Sequence, residues 1–567
     1  MRHAKTCIRR GLALWLAVLL TLGTALAAET TPEERQEDLD FLYHEVLEKA
    51  HPNAFSVTPE ADFLALKAEI ESRLGTESQE AFLLDLMALT ALAGDSHTSV
   101  SVGSLASFRG YPFTMIRRGT SWYLTAVTPE NEDLLCREIT ALAGRPVDKV
   151  IAAYGRLFPS DNPVHLRRQF RQASNVADIY EYLGLVEAGK PLAVTLAGGK
   201  TLSLEPMGMA EMNALEAVTI SDRITAQPET AARNDYYWAK PLTDKVYYIQ
   251  YNTCQENPEL PMEDFAAQVK TDLDGGDYSR ILLDFRNNTG GSDGVIWPLF
   301  EVLRAAMDGG CEVVGLIGES TFSSALINAV EIQEMGGVLA GEATGGSVAH
   351  FGAVHTFTLP NSKIRGQVSS KYIDLSTLLD AGAGRGVEAL EPDVAVSQTL
   401  EDTLAGKDTL VDYLLAHLDR LSQKEYPDAP LTRGRFVGLL YEAVGSPAAV
   451  EEPPFADCVG MEWYLPALVW AKENGIAQGT VDGTFSAARP ITWREAAVFL
   501  ARTTKLLGME PNPEVRLSGP VPAALAQGWA QAEATAVWDL GLLPTDVDFT
   551  QGLTRAQGEA LVQALAG

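Results

Sequence analysis

Ile281-Leu282-Leu283-Asp284-Phe285-Arg286-Asn287-Asn288-Thr289-Gly290-Gly291 is an apolar run that breaks into a polar turn with paired glycines. A short run of this kind, bounded by turn residues, reads as a buried strand. On either side lie further runs of the same type, Val246 to Tyr251, Val313 to Ile317 and Val338 to Ala340, with helical patterns between them such as Met262 to Leu273. Strands that alternate with helices argue for a βαβ-type core with a largely parallel sheet, placed here at 235–420. A second segment, Gly318-Glu319-Ser320-Thr321-Phe322-Ser323-Ser324-Ala325, follows a strand and opens at once into a helical pattern. A serine there sits at a helix N-terminus, where the dipole and free N–H groups favour developing negative charge. The paired glycines of the first segment let backbone N–H groups approach a ligand with no side chain in the way.

Outside this core the organisation changes. Residues 1–27 read as an export signal: Arg2, Lys5, Arg9 and Arg10, then an apolar run from Leu12 to Leu22, then Ala25-Leu26-Ala27 as a cleavage site. The run is shorter than the roughly 20 residues of a membrane span, so no transmembrane anchor is expected. Residues 28–104 read as helices. Thr31-Pro32-Glu33-Glu34 is a capping box, Thr58-Pro59-Glu60 starts a second helix, and a third runs from Ser78 through Leu92 into Gly94-Asp95-Ser96-His97-Thr98. Over 105–215 the pattern is one of short strands and turns, with a hairpin from Leu192 to Leu204 about Gly198-Gly199. A polar, Pro-containing linker at 421–430 precedes a repeat at 431–567. There Thr432, Thr492 and Thr554, 60 and 62 residues apart, each suit the N-cap of an amphipathic helix.

Taken together, the two core segments resemble tail-specific (C-terminal processing) proteases and the related tricorn core protease, whose motifs read "D-x-R-x-N-x-G-G" and "T-x-S-S/A". The family's "G-E-x-T-x-G" turn is matched by Gly341-Glu342-Ala343-Thr344-Gly345-Gly346. Its "G-V-x-P-D" strand end is echoed, with three extra residues, by Gly386-Val387…Glu391-Pro392-Asp393. The resemblance covers about 33–418 and implies a crotonase-like α/β peptidase core. It places the nucleophile on Ser323, with Ser324 as the competing choice, and the oxyanion hole on the Ser324 N–H with a Gly290 or Gly291 N–H. Ile139-Thr140-Ala141-Leu142-Ala143-Gly144-Arg145-Pro146-Val147 resembles the "I-x-x-I-N-G-x-x-V" turn of PDZ domains, so 105–215 is either PDZ-like or an unrelated small β-rich domain.

The family's common base is a lysine about two dozen residues after the serine. The stretch from Ser324 to Gly352 holds none, and Lys363 and Lys371 lie past the turn that should precede it. The tricorn-type alternative uses a Ser-His pair, matched by Ser96-His97, and makes His97 the base that takes the serine proton and returns it to the leaving amine. A distant glutamate completes that arrangement, with Glu388 and Glu391 as candidates here. Asp95 is an alternative orienting group, and His350 and His355 read as structural or substrate-lining.

The C-terminal repeats resemble S-layer homology (SLH) domains, which hold exported proteins on secondary polysaccharides of Gram-positive cell walls. The match is fullest over Phe455-Ala456-Asp457…Trp463-Tyr464…Trp470-Ala471…Gly475-Ile476…Asp482-Gly483-Thr484-Phe485. Aromatic and arginine side chains would make the polysaccharide site, with Arg433, Trp463, Arg494 and Arg555 as candidates. Trp493 stands where the repeat usually has arginine, so a purely structural all-α bundle is the alternative.

Composition narrows the partners. With 44 Lys+Arg against 75 Asp+Glu the net charge is −31, which repels phosphate backbones and excludes nucleic acid as an expected partner. Five scattered cysteines show neither C-x-x-C pairs nor metal-ligand spacing, so buried free thiols are expected, with no metal and no cofactor. The expectation is therefore an α/β multidomain, secreted, wall-associated serine peptidase acting on polypeptides. The rival is a wall-anchored peptide-binding protein that keeps the fold without activity. A lipase or esterase would need a G-x-S-x-G elbow, which is missing.

Overall fold

The computed structural model describes residues 30–100, 108–375 and 388–423, and, within the C-terminal unit, 430–447, 453–458, 464–480, 482–487, 489–509, 530–544, 548–549 and 551–566. The export signal, Gly386, Val387, Trp463 and most of the linker lie outside these residues.

The central sheet has six strands in the order Tyr237–Pro241, Val246–Tyr251, Arg280–Asp284, Glu312–Ile317, Val338–Gly341, Val394–Ala395. The first pair is antiparallel and every later pairing is parallel. All four strands expected for the core are present, and the helix expected over Met262 to Leu273 runs Met262–Asp274. Both faces of the sheet are apolar because helices cover both: Ile281, Leu283 and Val313 pack on one side, Leu282, Val314 and Leu316 on the other.

The N-terminal region is helical, as expected. Thr31 closes a capping box on Pro32–Asp40, which continues as a π-type helix Phe41–Ala50, and Ser78 caps Gln79–Ala91. The β-rich region departs from its reading. A seven-stranded sheet is there, including the Leu192–Leu196/Thr201–Leu204 hairpin, but three helices, Val147–Tyr154, Pro163–Ala173 and Ala177–Tyr182, interrupt the strands. Asn162 caps the second of them with Pro163 at its first position. Nor do the two N-terminal regions have separate interiors. Leu39, Phe82, Trp122, Tyr154 and Val194 share one core that runs from Leu39 to Leu204 and takes in Leu359, Ile364 and Val368.

Those last three residues belong to a long hairpin, Ala349–Thr358 with Arg365–Asp374 and the turn between them, that leaves the central domain and pairs with Ser99–Val100. Gln367 donates to the His97 carbonyl (2.9 Å) and the Ser369 N–H donates to Thr98 Oγ1 (3.0 Å). The hairpin thus fixes the Gly94-to-Thr98 segment against the central domain.

In the C-terminal unit Thr432, Thr492 and Thr554 each accept a hydrogen bond from the backbone N–H three residues on. The residues just before them close a ring: Leu431 N–H to Leu553 O, Ile491 N–H to Leu431 O and Leu553 N–H to Ile491 O, at 2.8–3.0 Å. Three repeats therefore meet about one pseudo-threefold axis and share one core. Arg433 is buried, its guanidinium donating to Phe485 O and Glu495 and lying over the Phe485 ring, so its charge is used inside the bundle. Trp493, at the equivalent position, packs edge-on against Phe549. Arg494 and Arg555 are half-buried at the starts of their helices.

Four described cysteines are free thiols, but only Cys254 is buried, where burial pushes its thiol up to about 12. Cys136, Cys311 and Cys458 are half-buried, packed against the outside of a core. Among the described residues no helix is long and apolar enough to cross a membrane.

Candidate active site

The three core motifs converge on the loop that carries Ser323. Thr321, fully buried, accepts from the Gly318 N–H (3.0 Å) and donates to Phe285 O (3.1 Å), which ties the loop to the end of the Asp284 strand. The Phe322 N–H donates to Asn288 O, and the Gly346 N–H donates to Thr321 O. Asp284 and Arg286 support this from below: Arg286 is paired with both Asp284 and Asp408, and Tyr248 donates to Asp284. Their role is to hold the turn, and the Arg286 stem lies against Gly318, where an added Cβ would come 3.7 Å from Arg286 Cγ.

Ser323 itself has φ +52° and ψ −129° and caps the helix Ser324–Glu334. A non-glycine residue in this region costs about 1–3 kcal/mol, and such strain persists where surrounding structure imposes it. Here the three loop ties do so. Ser324, the competing choice, is buried and donates from Oγ to Gly291 O (2.9 Å), so its hydroxyl is already engaged.

Gly290 and Gly291 lie directly beside this serine. A Cβ on Gly290 would come 2.7 Å from Ser323 Cβ and 3.1 Å from Ser324 N. The Gly290 N–H donates to Asn288 Oδ1 (2.9 Å), so of the expected oxyanion donors this one is spent locally. Gly291 forms a parallel bridge with Cys254 in which the flanking N–H groups of Cys254 and Ser292 make the bonds. The Gly291 N–H therefore points away from Cys254. Neither it nor the Ser324 N–H at the helix start makes a backbone hydrogen bond.

His97 is brought to the same place. Its ring stacks on Phe322, the residue before Ser323, at 4.3 Å between centroids, and on His350 at 5.3 Å. Both of its nitrogens are buried, and neither makes a well-formed hydrogen bond, although the Phe351 backbone lies close enough to favour the charged form. Burial, with the neighbouring His350, pushes the imidazole down to about 4, so the ring is neutral at physiological pH. No hydrogen bond joins it to Ser323.

The groups expected to orient His97 do other work. Asp95 accepts from the His97 backbone N–H, from Thr98 Oγ1 and from His51 Nε2, and its carboxylate lies 4.0 Å from His97 Nδ1. Burial acts to raise the Asp95 pKa, but the hydrogen bonds outweigh it and hold the group below the usual value. His51 Nδ1 accepts from the Asn53 N–H, which leaves the proton on Nε2 facing Asp95. Glu388 and Glu391 are solvent-exposed, and the two unpartnered nitrogens of His97 rule out a bond to either, so the expected glutamate relay is not assembled. His350 donates from Nδ1 to Ser347 O, and His355, Lys363 and Lys371 are exposed.

Three residues of the site were missed by sequence reasoning, and all come from the helix-bearing insert. Asp161 Oδ1 accepts from the Ser96 N–H (2.5 Å), while the Asp161 N–H donates to Ser96 Oγ (2.9 Å), so Ser96 is a clamp beneath His97. Burial lifts the Asp161 carboxyl to about 7. Asn162 donates to Gly345 O and Ser347 Oγ and caps the helix that carries His165. His165 stacks on the other side of Phe322, at 4.7 Å. The Asn162-Pro163 cap was a readable helix start; the partners of Asn162 lie 183 and 185 residues away.

No family model and no curated protein matches the chain. Among solved structures, mature CPAF complexed with lactacystin is similar over 68% of this chain and 97% of that one, at 14% identity and a TM-score of 0.45. The photosystem II D1 C-terminal processing protease is similar over 67% and 99%, at 15% identity and a TM-score of 0.30. A lipoprotein from Streptococcus agalactiae covers 30% and 68%, at 14% identity and a TM-score of 0.21. At these scores the functional reading rests on the site and its motifs.

Proposed function

We propose that the chain is a secreted, wall-associated serine endopeptidase that hydrolyses peptide bonds through an acyl-enzyme. Ser323 attacks the carbonyl, neutral His97 takes its proton and returns it to the leaving amine, and the Ser324 and Gly291 N–H groups receive the oxyanion. The observation that carries this reading is the strained Ser323 at a helix N-terminus, hemmed by Gly290, with an unpartnered neutral imidazole packed on the adjacent Phe322.

Fluorophosphonate labelling tests it. Wild type should label, Ser323→Ala should not, and Ser324→Ala should keep labelling because its hydroxyl serves the Gly291 carbonyl. Absence of labelling in the wild type across pH 4–9 would favour the inactive peptide-binding alternative, which the unassembled glutamate relay motivates.

Wall attachment is proposed on the SLH-like repeats. On this reading Arg494 and Arg555, half-buried at the starts of their helices, would meet an acidic polysaccharide, and the interior Arg433 would not. A chain ending at Gln423 should keep Ser323 labelling but no longer sediment with cell-wall sacculi, whereas the longer chain should sediment and be released when the secondary polysaccharide is stripped. Equal sedimentation of both would remove the anchor reading and leave the bundle structural.

A further inference from the structure

His51 stands at the end of the π-type helix Phe41–Ala50, and the sequence puts it there. The residue before a proline is pushed out of helical backbone, so Pro52 stops the helix at His51, which has ψ 136°. Its side chain turns inward and is fully buried. His51 Nδ1 accepts from the Asn53 N–H (3.0 Å), so the proton of the neutral ring sits on Nε2, which lies 3.1 Å from Asp95 Oδ2. The same ring packs on Phe351, 4.6 Å between centroids, and the preceding residue, His350, stacks on His97.

The Asp95 side chain is equally buried, which is costly for a carboxylate unless its charge is met. Among the described residues no lysine or arginine pairs with it. It accepts from the His97 N–H, from Thr98 Oγ1 and from His51 Nε2, and of these three only His51 comes from outside the Gly94-to-Thr98 segment. The titratable groups that feel its charge are His51, His97, His165 and His350, with Asp161 as a like charge.

That charge matters at the moment His97 works. Taking the Ser323 proton turns a neutral ring into a cation inside a buried site, where an unpaired charge is strongly disfavoured. Asp95 Oδ1 lies 4.0 Å from His97 Nδ1 with no hydrogen bond between them, so it acts on the ring through space. Glu388 and Glu391, expected to fill this role, face solvent.

Resting on the peptidase reading, we propose that His51 is a positioning residue of the active site. Its Nε2–H fixes the Asp95 carboxylate as the counter-charge for His97 while that ring holds the serine proton. Asp95 stays ionised throughout and takes no proton itself.

The rate of fluorophosphonate labelling of Ser323 in the full-length protein, followed from about pH 4 to about pH 9, tests this. His51→Phe keeps an aromatic ring against Phe351 but removes the donor, so Asp95 should protonate more readily and, once neutral, cannot balance His97. The acid limb of the labelling rate should therefore move upward by about one pH unit or more. The deficit should be at least about tenfold near pH 5, the scale of one hydrogen bond to a charged group, and smaller near pH 8. His51→Gln, whose amide N–H can reach the same carboxylate oxygen, should return the limb to its wild-type place. In an Asp95→Asn background, itself slower than wild type, His51→Phe should add little, because the two residues act as one unit. A His51→Phe protein that unfolds at a lower temperature yet keeps the wild-type limb overturns the inference, as does a full additive loss on Asp95→Asn, and either leaves His51 as packing for Phe351. Absence of labelling in the wild type is a different result: it removes the peptidase reading, and the inference with it.

Discussion

Replacing His97 by alanine is expected to lower kcat for peptide hydrolysis by about 10²–10⁴-fold, the contribution of general acid–base assistance. The ring is one of two imidazoles stacked on the residue before Ser323, and neither of its nitrogens makes a hydrogen bond, which leaves one to accept the serine proton. The pH profile separates this role from a packing role. A base works in its deprotonated form, so activity rises as pH climbs through its pKa. With His97 held down at about 4, the acid limb of kcat/KM should fall near pH 4 and not near the ordinary histidine value. His97→Ala should lose that limb along with the rate. If kcat persisted and only the unfolding temperature dropped, His97 would be a filler between Phe322 and His350, and the base would have to be sought elsewhere.

How far this site could be read in the sequence depended on how local its parts are. The Asp284-to-Gly291 and Gly318-to-Ala325 segments are strand-end turns, and their glycines, threonine and serines are legible because each acts within a few residues of itself or across one sheet pairing. The same holds for the caps at Thr31, Ser78, Thr432 and Thr492, which the structure reproduces. What escaped was long-range. The Asp161 clamp on Ser96 and the His165 face of Phe322 join residues from different regions of the chain, and periodicity within either region says nothing of that meeting. The boundary drawn at 104/105 falls outside the described residues, and local pattern could not show what packs across it. A change from helical to strand pattern marks a change of local structure, while the apolar side chains on both sides pack into a single core. The glutamate relay was carried over from a motif whose register three extra residues had already broken, and both carboxylates face solvent.

Gly290→Ala should abolish labelling of Ser323 while leaving the protein folded, and it tests the oxyanion side of the site independently of His97. Two costs arise from the one methyl. Gly290 has φ +105°, where an L-residue pays about 1–2 kcal/mol. Its new Cβ would also sit 2.7 Å from Ser323 Cβ and 3.0 Å from Phe322 O, distances that oblige the serine loop to shift. Because Thr321 and Phe322 are held by hydrogen bonds, the shift should fall on Ser323 and on the Ser324 N–H beside it. Displacing one oxyanion donor costs about 10²–10³-fold in kcat, and moving the nucleophile adds to that. Gly310→Ala is the matched control. It has φ +92° and no atom within 4 Å of the new Cβ, so it carries the backbone strain without the crowding. The control should therefore lose some thermal stability yet label at the wild-type rate. Were both alanine variants to label normally, the close approach of Gly290 to Ser323 would have no catalytic consequence, and the oxyanion site would not lie between these two loops.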